Sequence, residues 1–389
     1  MIKRGITFVL LAFWTNGLFG QSIARVENIR IDSEALNQKR EILVYTPIEY
    51  DLRKHELFDV IYVFDSQDRE KFDYVSSSIA FLTDRDHDRA FMVVGIASPY
   101  NAELDYSRGD DFLPVLTTEK SIEWYEPHFG NVSNFLAYVS DEVMPYIESN
   151  YRTKGRSIAV GHSLGASFIL YALIQKPNLF DAYIAISPNL AYDNDYLAKQ
   201  LMGFDYAALQ DFTYLYLSHA NEGTNYWPEW KPAREKVYGF FTDTFKGDKL
   251  DVKIEGYGEE NHMSTFPVSV RSAFDYYFRT IYEKQENRLS EKEYEVRIRV
   301  TVPDKNDEIF ITGNQENLAN WNPNKIQLKK VSDYTRAITL KVKSIAAFKF
   351  TRGSWETEAD LKTALGTVKI KPENQTNYEF EIESYFDRY

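Results

Sequence analysis

The chain has 389 residues, a length that suits two domains better than one, and 44% of its residues are hydrophobic. Its formal net charge is −13, and because an acidic surface repels phosphate groups, nucleic acid and anionic membranes are disfavoured as partners. The lack of cysteine excludes disulfides, iron–sulfur clusters, thiolate zinc sites, a cysteine nucleophile and a cysteine-anchored lipoprotein.

The first twenty residues have the pattern of a secretory signal peptide. Lys3 and Arg4 form a basic start, and residues 6–14 are apolar but too few to span a bilayer. Gly20 supplies a small residue just before Gln21. A buried N-terminal strand is the alternative interpretation. The pattern predicts a periplasmic or secreted protein without a stable membrane anchor.

Strand-like and helix-like segments alternate over residues 21–285. Apolar or alternating runs typical of strands occupy residues 26–31, 40–45, 58–64, 90–97, 156–161, 182–186, 212–217 and 250–254. Helical spacing of apolar residues is found at 131–151, 165–175 and 268–282. This alternation predicts an α/β fold with a doubly wound, mostly parallel sheet, in which ligands bind at the carboxyl ends of the strands.

The pattern changes near residue 285. Residues 286–293 are polar and charged, which indicates a linker, and from Tyr294 onward apolar and polar residues alternate in short runs. This predicts a C-terminal all-β domain, an immunoglobulin-like sandwich over residues 294–389. The predicted divisions are thus a signal peptide (1–20), an α/β domain (21–285), a linker (286–293) and the β domain.

The sequence GHSLG, residues 161–165, fits the G-x-S-x-G pattern of a nucleophile elbow. It follows a predicted strand and opens a predicted helix, as the elbow requires. Its two glycines remove Cβ atoms where backbones come close, and the helix N-terminus favours a developing anion. The motif predicts that Ser163 is a nucleophile; a glycine-flanked turn is the alternative.

A serine nucleophile needs a base, and in sheet enzymes of this type the order is nucleophile, acid, histidine. His219 and His262 are the histidines that follow Ser163. We favour His262, which lies between the last strand and the last helix. His162, inside the motif, is expected to pack or to line the pocket, and His87 is expected in a solvated loop rather than a metal site.

Glu222 is the predicted acid, because it is the first acidic residue after the strand at 212–217. The alternatives are Asp193, Asp195, Glu259 and Glu260. Two backbone N–H donors should stabilise the oxyanion, one from Leu164 and the other from Gln67 or Ser66.

The segments VIYVFDSQ, NFLAYVSDEVMPYIESNYRT, AVGHSLGA and NHMS resemble the putative-esterase family of α/β-hydrolases over residues 40–282. That family includes the esterase D, feruloyl esterase and siderophore trilactone esterase groups. The resemblance implies an α/β-hydrolase fold and ester hydrolysis through an acyl-enzyme, with Ser163 as nucleophile, His262 as base and Glu222 as acid. Many relatives have Asp-Gly in place of Asp65-Ser66, and Asp in place of Glu222.

Two further residues are candidates for contact with the substrate. The segment DYSRGDDFLP matches a family loop that covers the pocket, where Arg108 meets either a substrate oxygen or a salt-bridge partner within the loop. Trp227 is the second candidate. We expect no cofactor and no metal.

The segments ITGNQENLANWNP and AAFKFTRGSWETEAD resemble the starch-binding family 20 carbohydrate-binding module, from about Val296 to the C-terminus. By position, Trp321, Lys349 and Trp355 match its first glucan site. A tryptophan face stacks on a pyranose ring and a lysine donates to hydroxyls. A structural or partner-docking β-sandwich is the alternative.

Together these patterns predict an exported serine esterase that acts on acyl or aryl esters of carbohydrates and is tethered to α-glucan by its β domain. Siderophore trilactone hydrolysis ranks lower, because Arg108 is the only evident basic residue in the proposed lid. Two further hypotheses are acyl transfer to a sugar and a non-catalytic binding protein with a degenerate hydrolase domain.

Overall fold

A computed structural model describes residues 24–53, 56–83, 89–101, 105–286, 289–362 and 366–388. The predicted signal peptide and His87 lie outside these residues. Within these ranges, no helix combines the length and the apolar character needed to cross a bilayer.

A mixed sheet of eight strands forms the centre of the N-terminal part. The strands of this part, including a short separate hairpin of β5 and β6, are β1 (Arg25–Ser33), β2 (Gln38–Thr46), β3 (Phe58–Phe64), β4 (Phe91–Ile96), β5 (Tyr100–Asn101), β6 (Asp105–Tyr106), β7 (Thr153–His162), β8 (Ala182–Ile186), β9 (Thr213–His219) and β10 (Leu250–Gly256). Their order in the sheet is β1-β2-β4-β3-β7-β8-β9-β10. β1, β2 and β4 pair antiparallel, and the pairs from β4 to β10 are parallel. The mostly parallel sheet predicted from the sequence is confirmed.

Helices cover both faces of this sheet. They are α1 (Ile48–Leu52), α2 (Glu70–Thr83), α3 (Arg108–Phe112), α4 (Glu119–Tyr125), α5 (Val132–Ala137), α6 (Met144–Asn150), α7 (Leu164–Gln175), α8 (Tyr192–Gly203), α9 (Trp230–Gly239), α10 (Thr265–Tyr276) and α11 (Tyr282–Glu286). π-helical turns join α5 to α6 and α10 to α11, so each pair forms one helical segment, and a third such turn extends α9.

The burial of β3 shows why its sequence is almost wholly apolar. All seven of its residues are buried. Since successive side chains point to opposite faces, Tyr62 and Phe64 join one hydrophobic core while Ile61 and Val63 join the other. A central strand covered on both sides therefore has no polar face. By contrast, most residues of the edge strand β1 are exposed.

The C-terminal part consists of two antiparallel-rich sheets around one core. Its strands are β11 (Glu293–Thr301), β12 (Phe310–Gly313), β13 (Ile326–Gln327), β14 (Lys329–Ser332), β15 (Thr335–Lys343), β16 (Ala346–Thr351), β17 (Ala359–Leu361), β18 (Val368–Ile370) and β19 (Asn377–Tyr385). One sheet has the order β14-β15-β11-β19-β17 and the other β13-β12-β16-β18. Side chains from both, such as Ile298 and Phe348, share one buried cluster.

Candidate active site

Ser163 occupies the sharp turn between β7 and α7. Its backbone has φ 58° and ψ −124°, a conformation that residues with a side chain rarely adopt. The turn is so tight that a Cβ on Gly161 would lie 2.3 Å from the Gly165 carbonyl oxygen. Glycine is therefore required at position 161. At Gly165 a Cβ would lie 3.4 Å from a carboxylate oxygen of Asp65, an ordinary van der Waals contact, so the close approach expected at both glycines is found only at Gly161.

We expect the Ser163→Gly variant to be more stable than the Ser163→Ala variant. Both lose the hydroxyl, but glycine adopts a positive φ without strain, whereas alanine retains the strain. The greater freedom of glycine in the unfolded chain offsets part of this gain, which leaves a difference of about 1 kcal/mol in the free energy of unfolding. Urea denaturation of the two variants measures it. Equal stability would show that the turn stores no such strain.

His262 and Glu222 are joined by a hydrogen bond. The Nδ1 of His262 lies 2.7 Å from the Oε1 of Glu222. A carboxylate only accepts, so Nδ1 carries the proton and Nε2 is left as an acceptor. The Tyr226 hydroxyl accepts a 2.7 Å bond from the backbone N–H of His262 and fixes the loop that carries this histidine.

The Glu222 carboxylate is fully buried yet remains ionised. Its Oε2 accepts a 2.7 Å hydrogen bond from the Ala220 N–H, and an Arg234 nitrogen lies 4.0 Å from the same oxygen. Burial alone would raise the pKa of Glu222, but hydrogen bonding, chiefly from His262, outweighs it and lowers that pKa to about 2. Glu222 is therefore a permanent negative charge beside His262.

The other candidate acids and the other late histidine have different surroundings. Asp193 accepts hydrogen bonds from the backbone N–H groups of Thr117 and Thr118, and Asp195 pairs with Lys236. Glu259 and Glu260 precede His262 in the same loop; Glu259 is exposed and Glu260 is partly buried. His219 packs against Tyr238, and burial lowers its pKa to about 4.

His162 packs beside His262, as expected for a residue that lines the pocket. The two rings lie 4.5 Å apart, and the Nε2 of His162 donates a 2.7 Å hydrogen bond to the carbonyl oxygen of His262. Burial, together with the neighbouring His262, lowers the pKa of His162 to about 3. This ring is therefore neutral at physiological pH and supports the loop of His262 without competing for its Nδ1.

The two candidate oxyanion donors in the turn after β3 differ in availability. The Ser66 N–H donates to the Ile96 carbonyl at 3.1 Å, and Ser66 is buried. The prediction of Ser66 as a donor was therefore wrong, because the pairing of this turn with the end of β4 uses its N–H. Gln67 lines the pocket, and its side chain is fixed by contacts with Asp65 and the Ser98 N–H. Leu164 begins α7 and also lines the pocket.

Arg108 lies on the pocket wall and forms an ion pair. Its Nε and a terminal nitrogen lie 3.0 and 2.7 Å from the two carboxylate oxygens of Asp65, and Lys71 lies 3.7 Å from the same carboxylate. Burial would raise the pKa of Asp65, but Arg108 and Lys71 lower it to about 2. Arg108 therefore forms a salt bridge with a residue outside its own loop, and because it also lines the pocket, its contact with a substrate oxygen stays a prediction.

The pocket at Ser163 has a volume of about 730 Å³ and an aromatic wall. Trp227 stacks on Trp230 with ring centres 4.6 Å apart, and it meets His262 edge-on at 4.9 Å. The further lining residues include the aromatic residues Trp124, Tyr125 and Tyr192; the cations Lys71, Arg108 and Lys120; and the carboxylates Asp68 and Glu229. The pocket therefore suits a bulky substrate with flat rings. Sequence reasoning missed Trp230, Tyr226, Lys71 and Lys120.

The three candidate sugar-binding residues lie in the C-terminal domain. Trp321 and Trp355 are exposed to nearly the same degree, 39% and 40%. The Lys349 ammonium lies 2.7 Å from a carboxylate oxygen of Glu358. Trp321 lines a cavity between the two parts of the chain, and Trp355 and Lys349 are not among the residues that line it.

Parts of the chain are similar to curated esterases. Over 116 residues, 28% of this chain, it is 35% identical to the ferri-bacillibactin esterase BesA of Bacillus subtilis (strain 168), matching 39% of that protein. Over 68 residues, 17% of this chain, it is 37% identical to the siderophore enterobactin esterase of Emericella nidulans, matching 22% of that protein. The matched stretches thus span well under half the length of either relative.

A solved structure and a family model extend this similarity. The crystal structure of an IroE-like serine hydrolase from Shewanella oneidensis matches with a TM-score of 0.55 at 24% identity, covering 66% of this chain and 80% of that one. At this identity the match shows a shared α/β-hydrolase-like fold. The family model described as "Putative esterase" matches residues 33–236, just over half of the chain. The chain therefore belongs to this esterase family.

Proposed function

We propose that the chain hydrolyses carboxylic esters through an acyl-enzyme on Ser163. The observation that carries the proposal is the convergence at one pocket of a strained elbow serine and a histidine whose Nδ1 is bound to a buried, ionised Glu222. This is the arrangement of a nucleophile, a base and an orienting acid. Membership of the esterase family supports it.

In the proposed mechanism each group has one role. The free Nε2 of His262 takes the Ser163 proton as Oγ attacks the ester carbonyl, and the Leu164 and Gln67 N–H groups stabilise the oxyanion. Collapse of the intermediate breaks the ester bond, and the leaving alcohol takes the proton from His262. Water then adds to the acyl-enzyme by the same route, which releases the acid and regenerates Ser163. Glu222 stabilises the imidazolium that forms twice in this cycle.

We further propose that the substrate is a siderophore-type ester with hydroxyaryl groups. The pocket has flat aromatic walls and is lined by three cations. The sequence suggested too few basic residues for an anionic siderophore, and these three cations remove that objection. Arg108 and Lys71 share the Asp65 carboxylate. In the described part of the chain no carboxylate forms an ion pair with Lys120, which leaves it for a substrate oxyanion. The named activities of the two curated relatives support this class.

The Lys120→Gln variant tests the substrate class. We expect its kcat/KM for a trilactone of dihydroxybenzoylserine to fall about tenfold, since one charge-assisted hydrogen bond is lost, while hydrolysis of p-nitrophenyl acetate changes less than about twofold. Lys231→Gln, on the exposed side of α9, is the matched control. Equal losses on both substrates, or no hydrolysis of the trilactone by the unmodified chain, would contradict the assignment.

A carbohydrate ester, with the β domain as an α-glucan tether, is the second candidate function. The exposure of Trp321 and Trp355 supports it, because exposed indole faces stack on sugar rings. The ion pair between Lys349 and Glu358 leaves that lysine less free to donate to a sugar hydroxyl. We also propose that the two C-terminal sheets form an immunoglobulin-like sandwich and that the domain limits are those predicted from the sequence. Residues 1–20 would direct export of the chain.

A further inference from the structure

A second cavity, of about 670 Å³, lies between the α/β domain and the C-terminal domain. Lys154 and Arg156 reach it from the start of β7, and Asp59 from the start of β3. Ser163 follows the carboxyl end of β7, so the two cavities lie at opposite ends of the sheet strands. We propose that this second cavity binds an acidic saccharide, with a pyranose ring against Trp321 and its anionic group beside Arg156 and Lys371.

The floor of the cavity contains a buried charge cluster with unused hydrogen-bonding groups. Asp59 is fully buried, with the Lys154 ammonium 3.4 Å and the Nη1 of Arg156 3.7 Å from its Oδ2. The Nη1 of Arg156 and the Oδ1 of Asp59 are both buried and without a hydrogen-bond partner among the described residues. Buried polar atoms are normally paired, so an unpaired donor and an unpaired acceptor in one cavity indicate a missing occupant.

The balance of charge around the cavity favours an anion. Lys371 reaches it from the C-terminal domain, with its ammonium 3.4 Å from the Thr153 hydroxyl, and burial lowers the pKa of Lys371. The cations that line the cavity are Arg89, Lys154, Arg156, Lys369 and Lys371, against the carboxylates of Asp59, Asp181, Glu283 and Glu373. Glu283 already pairs with Arg89, and Glu373 accepts a bond from Ser344. The unpaired donor of Arg156 and the ammonium of Lys371 are thus placed to bind an oxyanion.

Trp321 gives the cavity an apolar, aromatic wall, which a simple inorganic anion would leave uncovered. Its backbone has φ 61°, a conformation rare for a bulky residue, and its half-exposed indole forms part of the cavity wall. An indole face packs well against the apolar C–H face of a sugar ring. A saccharide hydroxyl could also donate to the Oδ1 of Asp59. A ligand with an anionic group, hydroxyls and one apolar face satisfies all three features.

Calorimetric titration of the full chain tests the proposal with trigalacturonate, the neutral maltotriose and inorganic sulfate. We expect trigalacturonate to bind at least about tenfold more tightly than maltotriose, because only it supplies an oxyanion to Arg156 and Lys371. Trp321→Ala and Arg156→Gln should each weaken its binding about tenfold or more. Trp355→Ala, equally exposed but outside the cavity lining, is the matched control and should bind as the unmodified chain does. Hydrolysis of p-nitrophenyl acetate should be the same in Trp321→Ala.

Three outcomes would overturn the proposal. One is that maltotriose and trigalacturonate bind with equal affinity and that Trp355→Ala loses this binding, which would indicate a surface for neutral glucan. Another is binding of sulfate as tight as that of the saccharide and unaffected by Trp321→Ala, which would indicate an anion site alone. The third is absence of trigalacturonate binding. If Arg156→Gln lowers the thermal midpoint, Lys371→Gln replaces it and carries the same expectation.

Discussion

The Ser163→Ala variant should lose at least about 10⁴-fold in kcat/KM for p-nitrophenyl butyrate, the scale seen when a triad nucleophile is removed. In the proposed mechanism this hydroxyl forms the acyl-enzyme, and no cysteine is present to replace it. The variant keeps the aromatic pocket that binds the substrate and keeps the oxyanion donors. It should therefore still hydrolyse the ester faster than the uncatalysed reaction in water. Initial rates at saturating and limiting substrate separate kcat from KM, and we expect the loss to fall on kcat.

A second readout makes this result specific to the nucleophile. A fluorophosphonate probe should label the unmodified chain and fail to label Ser163→Ala. Ser77→Ala, which removes a hydroxyl on α2, should keep both turnover and labelling. Turnover of Ser163→Ala within about tenfold of the unmodified chain would mean that another group attacks the ester, and would remove the basis of the proposed mechanism.

The central strands were predictable because burial on both faces leaves a continuous apolar run in the sequence. The predicted limits of residues 58–64 and 182–186 coincide with those of β3 and β8. Helices were less evident. α4 has seven residues and is followed by a polar loop, so it shows little periodicity, yet it brings Lys120 and Trp124 to the pocket. Short helices gain their stability from tertiary packing, which local sequence does not report.

The pairing of His262 with Glu222 was predictable for a different reason. In a parallel sheet the loops after successive strands meet at one edge, so chain order alone placed both residues there. The donor in the candidate oxyanion turn was not predictable in the same way. Whether Ser66 or Gln67 has a free N–H depends on how the turn meets the end of β4, because the Ser66 N–H binds the Ile96 carbonyl, which is distant in the sequence.

One missed feature did have a signal in the sequence. The segment YWPEW, residues 226–230, follows Glu222 closely, and such a density of aromatic residues is unusual for a surface loop. Its Tyr226 binds the His262 backbone and its two tryptophans pack against the His262 ring. An aromatic cluster directly after a candidate triad acid is therefore a reason to expect a pocket wall.

The Glu222→Gln variant should lower kcat for ester hydrolysis by about 10⁴-fold, as when the orienting carboxylate of a triad becomes an amide. The change keeps the size of the side chain but removes a charge that the low pKa of Glu222 keeps in place at neutral pH. The Ala220 N–H requires an acceptor, so the amide oxygen should face Ala220 and the amide NH₂ should face His262. The Nδ1 of His262 must then accept, which moves its proton to Nε2 and leaves no base for Ser163.

This tautomer argument separates Glu222→Gln from a simple loss of stability. Glu222→Asp keeps the charge but shortens the side chain, so His262 should retain the Nδ1–H form and activity should be intermediate. NMR of the imidazole nitrogens should show the proton on Nε2 in Glu222→Gln and on Nδ1 in the unmodified chain and Glu222→Asp. If Glu222→Gln keeps both the Nδ1–H tautomer and full activity, another carboxylate orients His262. Asp193 and Asp195 are held by Thr117, Thr118 and Lys236, so neither is placed to take over that role.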